Sequence, residues 1–363
     1  MNLDDLARFR ELDTQNMRAH LDSLPSQLEA AFAHGQTLPL PALFKRADRI
    51  VIAGMGTSAQ AGEMLAALVA DTCNVPIIVN RGYDLPAYAD GQRTLVIGVS
   101  HSGTDEESLT ALELADNRGT QFMAITTGGT MAEHMERAGA PAWTYQSDAP
   151  ARAALGWTFG LLLALINRLG LVRDLSGDVA EAVEVMRGRI PILGIDGPVV
   201  KNPAKRLAGQ LIGRVPIIHG AGIMIPVARR WKTQLNENAK TVAQWEEMPE
   251  MDHNTVQGTE FPPPLMTKVA VIFLSAPPPE ESHMAVRLKV TQTIYLQQGL
   301  APDTIKARGS SALAQMMSNV QFGDYVSYYT AMAYGVDPTP VPCIADLKDK
   351  LAAATQRRPS PEE

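Results

Sequence analysis

The sequence predicts an α/β protein made of two units, each a parallel sheet covered by helices. Short apolar runs of strand length, at 49–53, 76–79, 94–99 and 121–126, alternate with runs of helical spacing at 61–70 and 106–116. Parallel strands buried on both faces read as continuous apolar stretches, and crossover helices supply the cover. An early strand followed by a glycine turn also occurs twice. The first is Arg49–Ala53 before Gly54-Met55-Gly56-Thr57-Ser58-Ala59, and the second is Val215–His219 before Gly220–Gly222. That recurrence points to an internal duplication.

The elements follow in order. Leu3, Leu6, Phe9, Leu12 and Met17, then Leu21, Leu24, Leu28 and Phe32, repeat at helical spacing and predict two leading helices. A link holding Pro39 and Pro41 leads to a short helix and the first strand. Residues 151–172 read as a long apolar helix closing the first unit. The second unit is expected to carry helix 180–187, an irregular stretch 188–203, helix 204–213 and the second glycine turn. Strand 268–274, a loop at Pro277-Pro278-Pro279, a helix from near Glu281 and a long helix 310–334 come next. A proline-rich crossing, 335–342, reaches a final helix at 344–351, and residues 357–363 are expected to be disordered. The domains are placed at 1–175 and 176–340, with a terminal helix and tail at 341–363.

Composition excludes several classes. With 363 residues the chain can bury two cores. The net charge of −7 comes without a basic stripe, which argues against nucleic acid. The apolar run Leu161–Ile166 is too short to span a bilayer. The acidic, amphipathic start lacks a signal-peptide pattern, so a cytoplasmic location is expected. Cys73 and Cys343 lie far apart without metal-ligand spacing.

Ligands of open parallel sheets bind at the carboxyl ends of strands, where helix N-termini favour anions. Two turns qualify: Gly56-Thr57-Ser58 after the first strand, and Ser100-His101-Ser102-Gly103-Thr104-Asp105 after strand 94–99. Their hydroxyls and glycines suit a phosphate; the same residues also suit ordinary helix N-caps. The first turn matches G-x-G-x-x-A. However, Val79-Asn80-Arg81 ends the next strand where a dinucleotide site needs an acid.

The stretch Arg230–Val256 packs Trp231, Asn236, Glu237, Asn238, Trp245, Asp252, His253 and Asn254 into one span. A carboxylate and an imidazole are the usual partners for proton movement near neutral pH. On spacing alone, Glu237 as a solvated loop acid and His253 as a structural histidine stand beside that reading.

GMGTSA, VSHSGTDEES, ITTGG, ARAALG, RWKTQLNENAK, MDHN and the DPTPV tail together resemble the bifunctional phosphoglucose/phosphomannose isomerases. The resemblance implies two sugar isomerase (SIS) domains, each a three-layer, flavodoxin-like α/β/α sandwich. It implies an aldose–ketose isomerase that interconverts glucose 6-phosphate or mannose 6-phosphate with fructose 6-phosphate through an enediol, without metal or other cofactor. By resemblance Glu237 is the proton-shuttling base and Arg152 stabilises the enediolate. His253 and Lys348 assist ring opening, with His253 reaching in from the partner of a homodimer. Gly56, Thr57, Ser58, Ser100, Ser102, Thr104 and Asp105 form the phosphate turns, and Thr339 stands at the position tied to accepting both C2 epimers.

Two positions depart from the family pattern. Thr57 replaces a glycine, and Asp105 replaces a threonine, placing a carboxylate where the phosphate is expected. An isomerase for another phosphosugar and a non-catalytic phosphosugar-binding protein are the alternatives.

Overall fold

The computed structural model describes residues 2–276 and 282–355. Three helices lead the chain: α1 (Leu6–Leu12), α2 (Met17–Asp22) and α3 (Leu24–Gly35). The first sheet and its helices run β1 (Arg49–Gly54), α4 (Gly56–Val69), β2 (Ile77–Asn80), β3 (Thr94–Ser100), α5 (Glu106–Asn117), β4 (Gln121–Thr126), α6 (Gly129–Ala138) and β5 (Ala142–Thr144). Helices α7 (Leu155–Leu169), α8 (Ser176–Leu193) and α9 (Pro203–Leu211) follow. The second sheet runs β6 (Val215–Ala221), α10 (Ile225–Ala239), β7 (Gln244–Met248), α11 (Pro263–Met266), β8 (Val269–Ser275), α12 (His283–Gln297) and β9 (Asp303–Lys306). Helices α13 (Ala312–Tyr334) and α14 (Pro342–Thr355) end the described chain.

Every strand pairing is parallel. The first sheet has the order β2-β1-β3-β4-β5 and the second β7-β6-β8-β9, so the first four strands of each follow one pattern. The duplication read from the glycine turns therefore holds for topology. In both sheets the order reverses beside the early strand, where open α/β sheets form a crevice.

Several elements depart from expectation for physical reasons. Strands β7 and β9 are edges, Gln244–Met248 and Asp303–Lys306, with mixed polar residues facing solvent, so they carry no apolar run. The stretch expected to be irregular from 188 begins as helix, because α8 continues through Pro191 to Leu193. Residues 151–172 divide into a short 3-10 turn, Ala151–Ala153, and α7. The Pro277–Pro279 loop, the helix start near Glu281 and the tail 357–363 lie outside the described residues; α12 is seen from His283.

The long helix α13 is the spine of the second unit. It is buried from Leu313 to Met332 at nearly every position and has one charged residue, Asp324. Gly323 lets the Trp231 indole lie against the helix, because a Cβ there would collide with Trp231 Nε1. Trp231 Nε1 donates to the Asn319 carbonyl at 2.9 Å. The leading helices also seat on α13, where Phe9 packs 6.1 Å from the rings of Tyr328 and Tyr329. Tyr328 donates to Asp13 at 3.1 Å.

On the far face of the second sheet, the buried His219 stacks on Phe273 at 4.7 Å and lies 5.8 Å from Tyr295. Neither ring nitrogen has a hydrogen-bond partner among the described residues. Burial pushes its pKa down to about 4. The unfolded chain, titrating near 6.5, therefore binds more protons in the window between, and stability falls as pH drops from about 6.5 towards 4. His219→Phe is expected to flatten that part of the curve of melting temperature against pH. An unchanged slope would remove His219 as its source.

Candidate active site

Site-forming side chains meet where α10 packs against α4, the helix that follows β1. Gln60, two residues beyond Ser58 on α4, donates to Thr233 Oγ1 on α10 at 2.8 Å. Glu237 lies one helical turn further along α10, near its C-terminal end. The stretch Arg230–Ala239 is helical because it is amphipathic: Arg230, Trp231, Gln234, Leu235 and Asn238 face inward at i, i+1, i+4, i+5 and i+8. Glu237 keeps 29% of its side chain exposed, so the carboxylate is reachable.

Arg152 is the opposite case, with only 6% of its side chain exposed. Its Nε donates to Asn238 Oδ1 at 2.7 Å. Its Nη2 donates to the carbonyls of Pro338 and Thr339 at 2.8 and 2.5 Å. Nη1 is then the end turned to Glu237 Oε2, 3.8 Å away. Burial lowers the Arg152 pKa, and the carboxylates of Glu237 and Asp337 act against that shift. Guanidinium still stays charged at any working pH.

A second buried cation fixes the first. Arg230 donates through Nε and Nη2 to both oxygens of Asp324, at 3.0 and 2.7 Å, and Nη2 also donates to the Arg152 carbonyl at 2.9 Å. Gln234 donates to the same carboxylate at 2.9 Å. Burial raises the Asp324 carboxyl against the pull of Arg230 and Gln234.

The two turns lie side by side because β1 pairs with β3 up to Gly54 and Val99. Ser58 is buried at the start of α4, beside Gly56 and Thr57. In the second turn Gly103 takes a positive φ of 70°, and a Cβ there would strike the Gly128 carbonyl. Ser102 Oγ and Thr104 Oγ1 are exposed and 2.8 Å apart.

Ser100, expected among the phosphate donors, is fully buried; it accepts from the Gly103 N–H at 3.0 Å and gives its proton to Asp105 Oδ2 at 2.7 Å. It shapes the turn, and the hydroxyls at the mouth are those of Ser102 and Thr104. Asp105 is turned inward to Ser100, and its Oδ1 lies 3.5 Å from Lys348 Nζ on α14. His101 bonds Tyr145 through Nδ1 at 2.9 Å, tying the turn to the segment before Arg152.

The chain thus brings Glu237, Arg152 and Thr339 together, and Lys348 to the second turn. Thr339 is buried, and its hydroxyl has no partner among the described residues. His253 ends a 3-10 turn, Glu250–His253, is exposed, and is not brought to Glu237 within the chain. Sequence reading missed Arg230, Asp324 and Lys240. A lone acid in the otherwise uncharged α13 was the available sign for Asp324.

The corresponding crevice of the second sheet is different in kind. Ala221, Ile223, Met248, Leu274, Met284 and Leu288 line an apolar cavity of about 310 Å³ there. The hydroxyl turn Ser310-Ser311 after β9 is instead engaged by Glu181, which accepts from both backbone N–H groups at 2.6 and 2.9 Å.

Fold and turns together define a protein of two SIS domains. Residues 43–136 match the SIS domain family, and residues 200–351 match the family described as the bacterial phospho-glucose isomerase C-terminal SIS domain. A bifunctional phosphoglucose/phosphomannose isomerase of Caldicellulosiruptor bescii is 38% identical over 91% of this chain and 97% of its own length. One of the same name from Aquifex aeolicus is 32% identical, covering 83% and 90%. The chain belongs to the bifunctional phosphoglucose/phosphomannose isomerase family. Among solved structures, a hypothetical protein of Thermus thermophilus shares the fold with a TM-score of 0.74 at 15% identity, covering 97% of this chain and 94% of that one.

Asp105→Thr removes the negative charge behind the second turn and releases Lys348 from its pair. It is expected to bind inorganic phosphate roughly tenfold more tightly by calorimetry, the scale of one like charge near a part-exposed site. Unchanged or weaker binding would show that the inward-turned, paired carboxylate does not repel the anion.

Proposed function

We infer that this protein is an aldose–ketose isomerase that interconverts glucose 6-phosphate or mannose 6-phosphate with fructose 6-phosphate. The observation that carries the reading is the reachable Glu237 carboxylate facing the one unengaged end of a buried, rigidly held Arg152. Isomerisation through an enediol needs one carboxylate that removes a proton from C1 or C2 and returns it to the other carbon. Between the two steps, negative charge gathers on the substrate oxygens. A cation already fixed in place stabilises that charge without reorganising. The sugar phosphate is held at the turns by Ser58, Ser102 and Thr104, with Lys348 at their mouth, and the phosphate group takes no part in bond changes. The family resemblance assigns Thr339, whose carbonyl accepts from Arg152, to tolerance of either C2 epimer.

His253 is exposed and makes no bond to this cluster among the described residues, so we assign it to the partner's site in a homodimer, where it assists ring opening. No helix among the described residues is long and apolar enough to cross a membrane, and a cytoplasmic role in sugar phosphate metabolism fits that reading. A phosphosugar-binding protein without catalysis would need the anion turns more than the Glu237–Arg152 pair. Here the anion turn is the part that departs from the family pattern.

Glu237→Gln keeps size and hydrogen bonding but cannot take a proton. It is expected to lower kcat on fructose 6-phosphate at least about a thousandfold, with the melting temperature little changed. Near-normal turnover would remove Glu237 as the base. Mixing Glu237→Gln with His253→Ala tests the shared site. If His253 acts across the dimer, each mixed dimer carries one intact site, and re-assortment restores up to about a quarter of wild-type activity. No recovery after subunit exchange would place His253 in its own chain's site or outside catalysis.

A further inference from the structure

We propose that Lys240 is a positioning residue for this reaction: its ammonium clamps the end of α10 that carries Glu237 to the 338–339 crossing that Arg152 also holds. The proposal rests on reading Glu237 as the base. Lys240 Nζ donates to the Glu237 carbonyl at 2.6 Å and to the Pro338 carbonyl at 3.1 Å. That Pro338 oxygen also accepts Arg152 Nη2 at 2.8 Å. One carbonyl therefore joins the helix end, the crossing and the oxyanion-side guanidinium, and Thr339 is the next residue along. Without the ammonium, the crossing keeps Arg152 but loses its bond to the helix bearing the base.

Backbone conformation points the same way. Lys240 caps α10 in the left-handed region, with φ 57° and ψ 24°. Glycine is the usual occupant of such a cap, because a Cβ is disfavoured in the left-handed region. Here the strained cap places the ammonium against the two carbonyls it bonds. The ammonium also sits at the negative end of the α10 dipole, a favourable place for a cation.

The charged groups facing Lys240 are Glu237 on its own helix, Arg152 from the Ala151–Ala153 turn and Asp337 from the crossing. Lys240 is exposed as a residue, but partial burial of its amine against the crossing, followed by repulsion from Arg152, lowers its pKa to about 8, against the pull of Asp337 and Glu237. Below about 8 the amine is charged and the clamp is complete. Above it, a proton is lost and the clamp weakens. Stability moves in the other direction. The unfolded chain, titrating near 10.5, binds more protons between about 8 and that value, so Lys240's contribution to stability rises with pH there. Activity that falls through this window is then not explained by Lys240 loosening the fold.

Three variants of the full-length protein test the proposal with fructose 6-phosphate as substrate: Lys240→Gly, Lys240→Arg and Glu237→Gln. Lys240→Gly suits the cap, so its melting temperature is expected to hold or rise. Its kcat is expected to fall roughly 10- to 100-fold with KM within about threefold, the scale of a misplaced catalytic group. Lys240→Arg is expected to recover most of kcat and to move the alkaline fall of kcat/KM well above the wild-type position. Lys240→Gly with kcat within about twofold of wild type would overturn the proposal. So would an alkaline limb identical in wild type and Lys240→Arg. Should Glu237→Gln itself retain turnover, the base assignment fails and the clamp loses its purpose with it. An inactive Glu237→Gln beside a normal Lys240→Gly would overturn the clamp alone.

Discussion

A guanidinium taken out of water must find its acceptors in the protein, and Arg152, from the first half of the chain, draws its acceptors from the second. It sits just after the first sheet, yet it donates to Asn238 on α10 and to two carbonyls of the crossing after α13. Its own carbonyl accepts from Arg230, which Asp324 holds from α13. An unpaired ion buried at this depth costs several kcal/mol. The arrangement of α10, α13 and the crossing is therefore constrained together. Asn238 extends the constraint by donating to Ser327 on α13 at 3.0 Å. The result is a cation with one end left for chemistry and no freedom to reorganise.

The duplicated topology explains how two sheets share one site without sharing its chemistry. In each, a helix follows the early strand, and these two helices, α4 and α10, meet at Gln60 and Thr233. The first presents its N-terminal end, with Ser58, where an anion is favoured. The second presents its C-terminal end, with Glu237 flanked by the cations Arg152 and Lys240 that complement the helix dipole. The second sheet's own crevice is apolar. Duplication supplied a matching frame, and opposite helix ends provide anion binding on one side and a base on the other.

Much of this was legible in the sequence where the signal was local. Strand β4 falls on the expected residues 121–126, and β1, β3, β6 and β8 each lie within two residues of their expected bounds, because interior parallel strands are continuous apolar runs. Edge strands β5, β7 and β9 were not legible, since half-exposed strands of three to five residues mix polar and apolar side chains. Hydroxyl turns could be located but not apportioned. That Ser100 is buried and serves Asp105 depends on a bend made by Gly103, while Lys348 arrives from a helix more than two hundred residues away. The carbonyls of Pro338 and Thr339, which hold Arg152, leave no trace in side-chain pattern at all.

Isomerisation at this site depends on a proton moving between C1 and C2 by way of Glu237, and its fate in heavy water reports this directly. Fructose 6-phosphate incubated with the wild-type protein in D2O, followed by NMR, is expected to yield glucose 6-phosphate or mannose 6-phosphate carrying deuterium at C2. A carboxylate open to solvent exchanges its proton before returning it. Full turnover with no deuterium at C2, even at long incubation, would mean that the hydrogen passes between the carbons without residing on an exchangeable group, and would contradict the enediol mechanism.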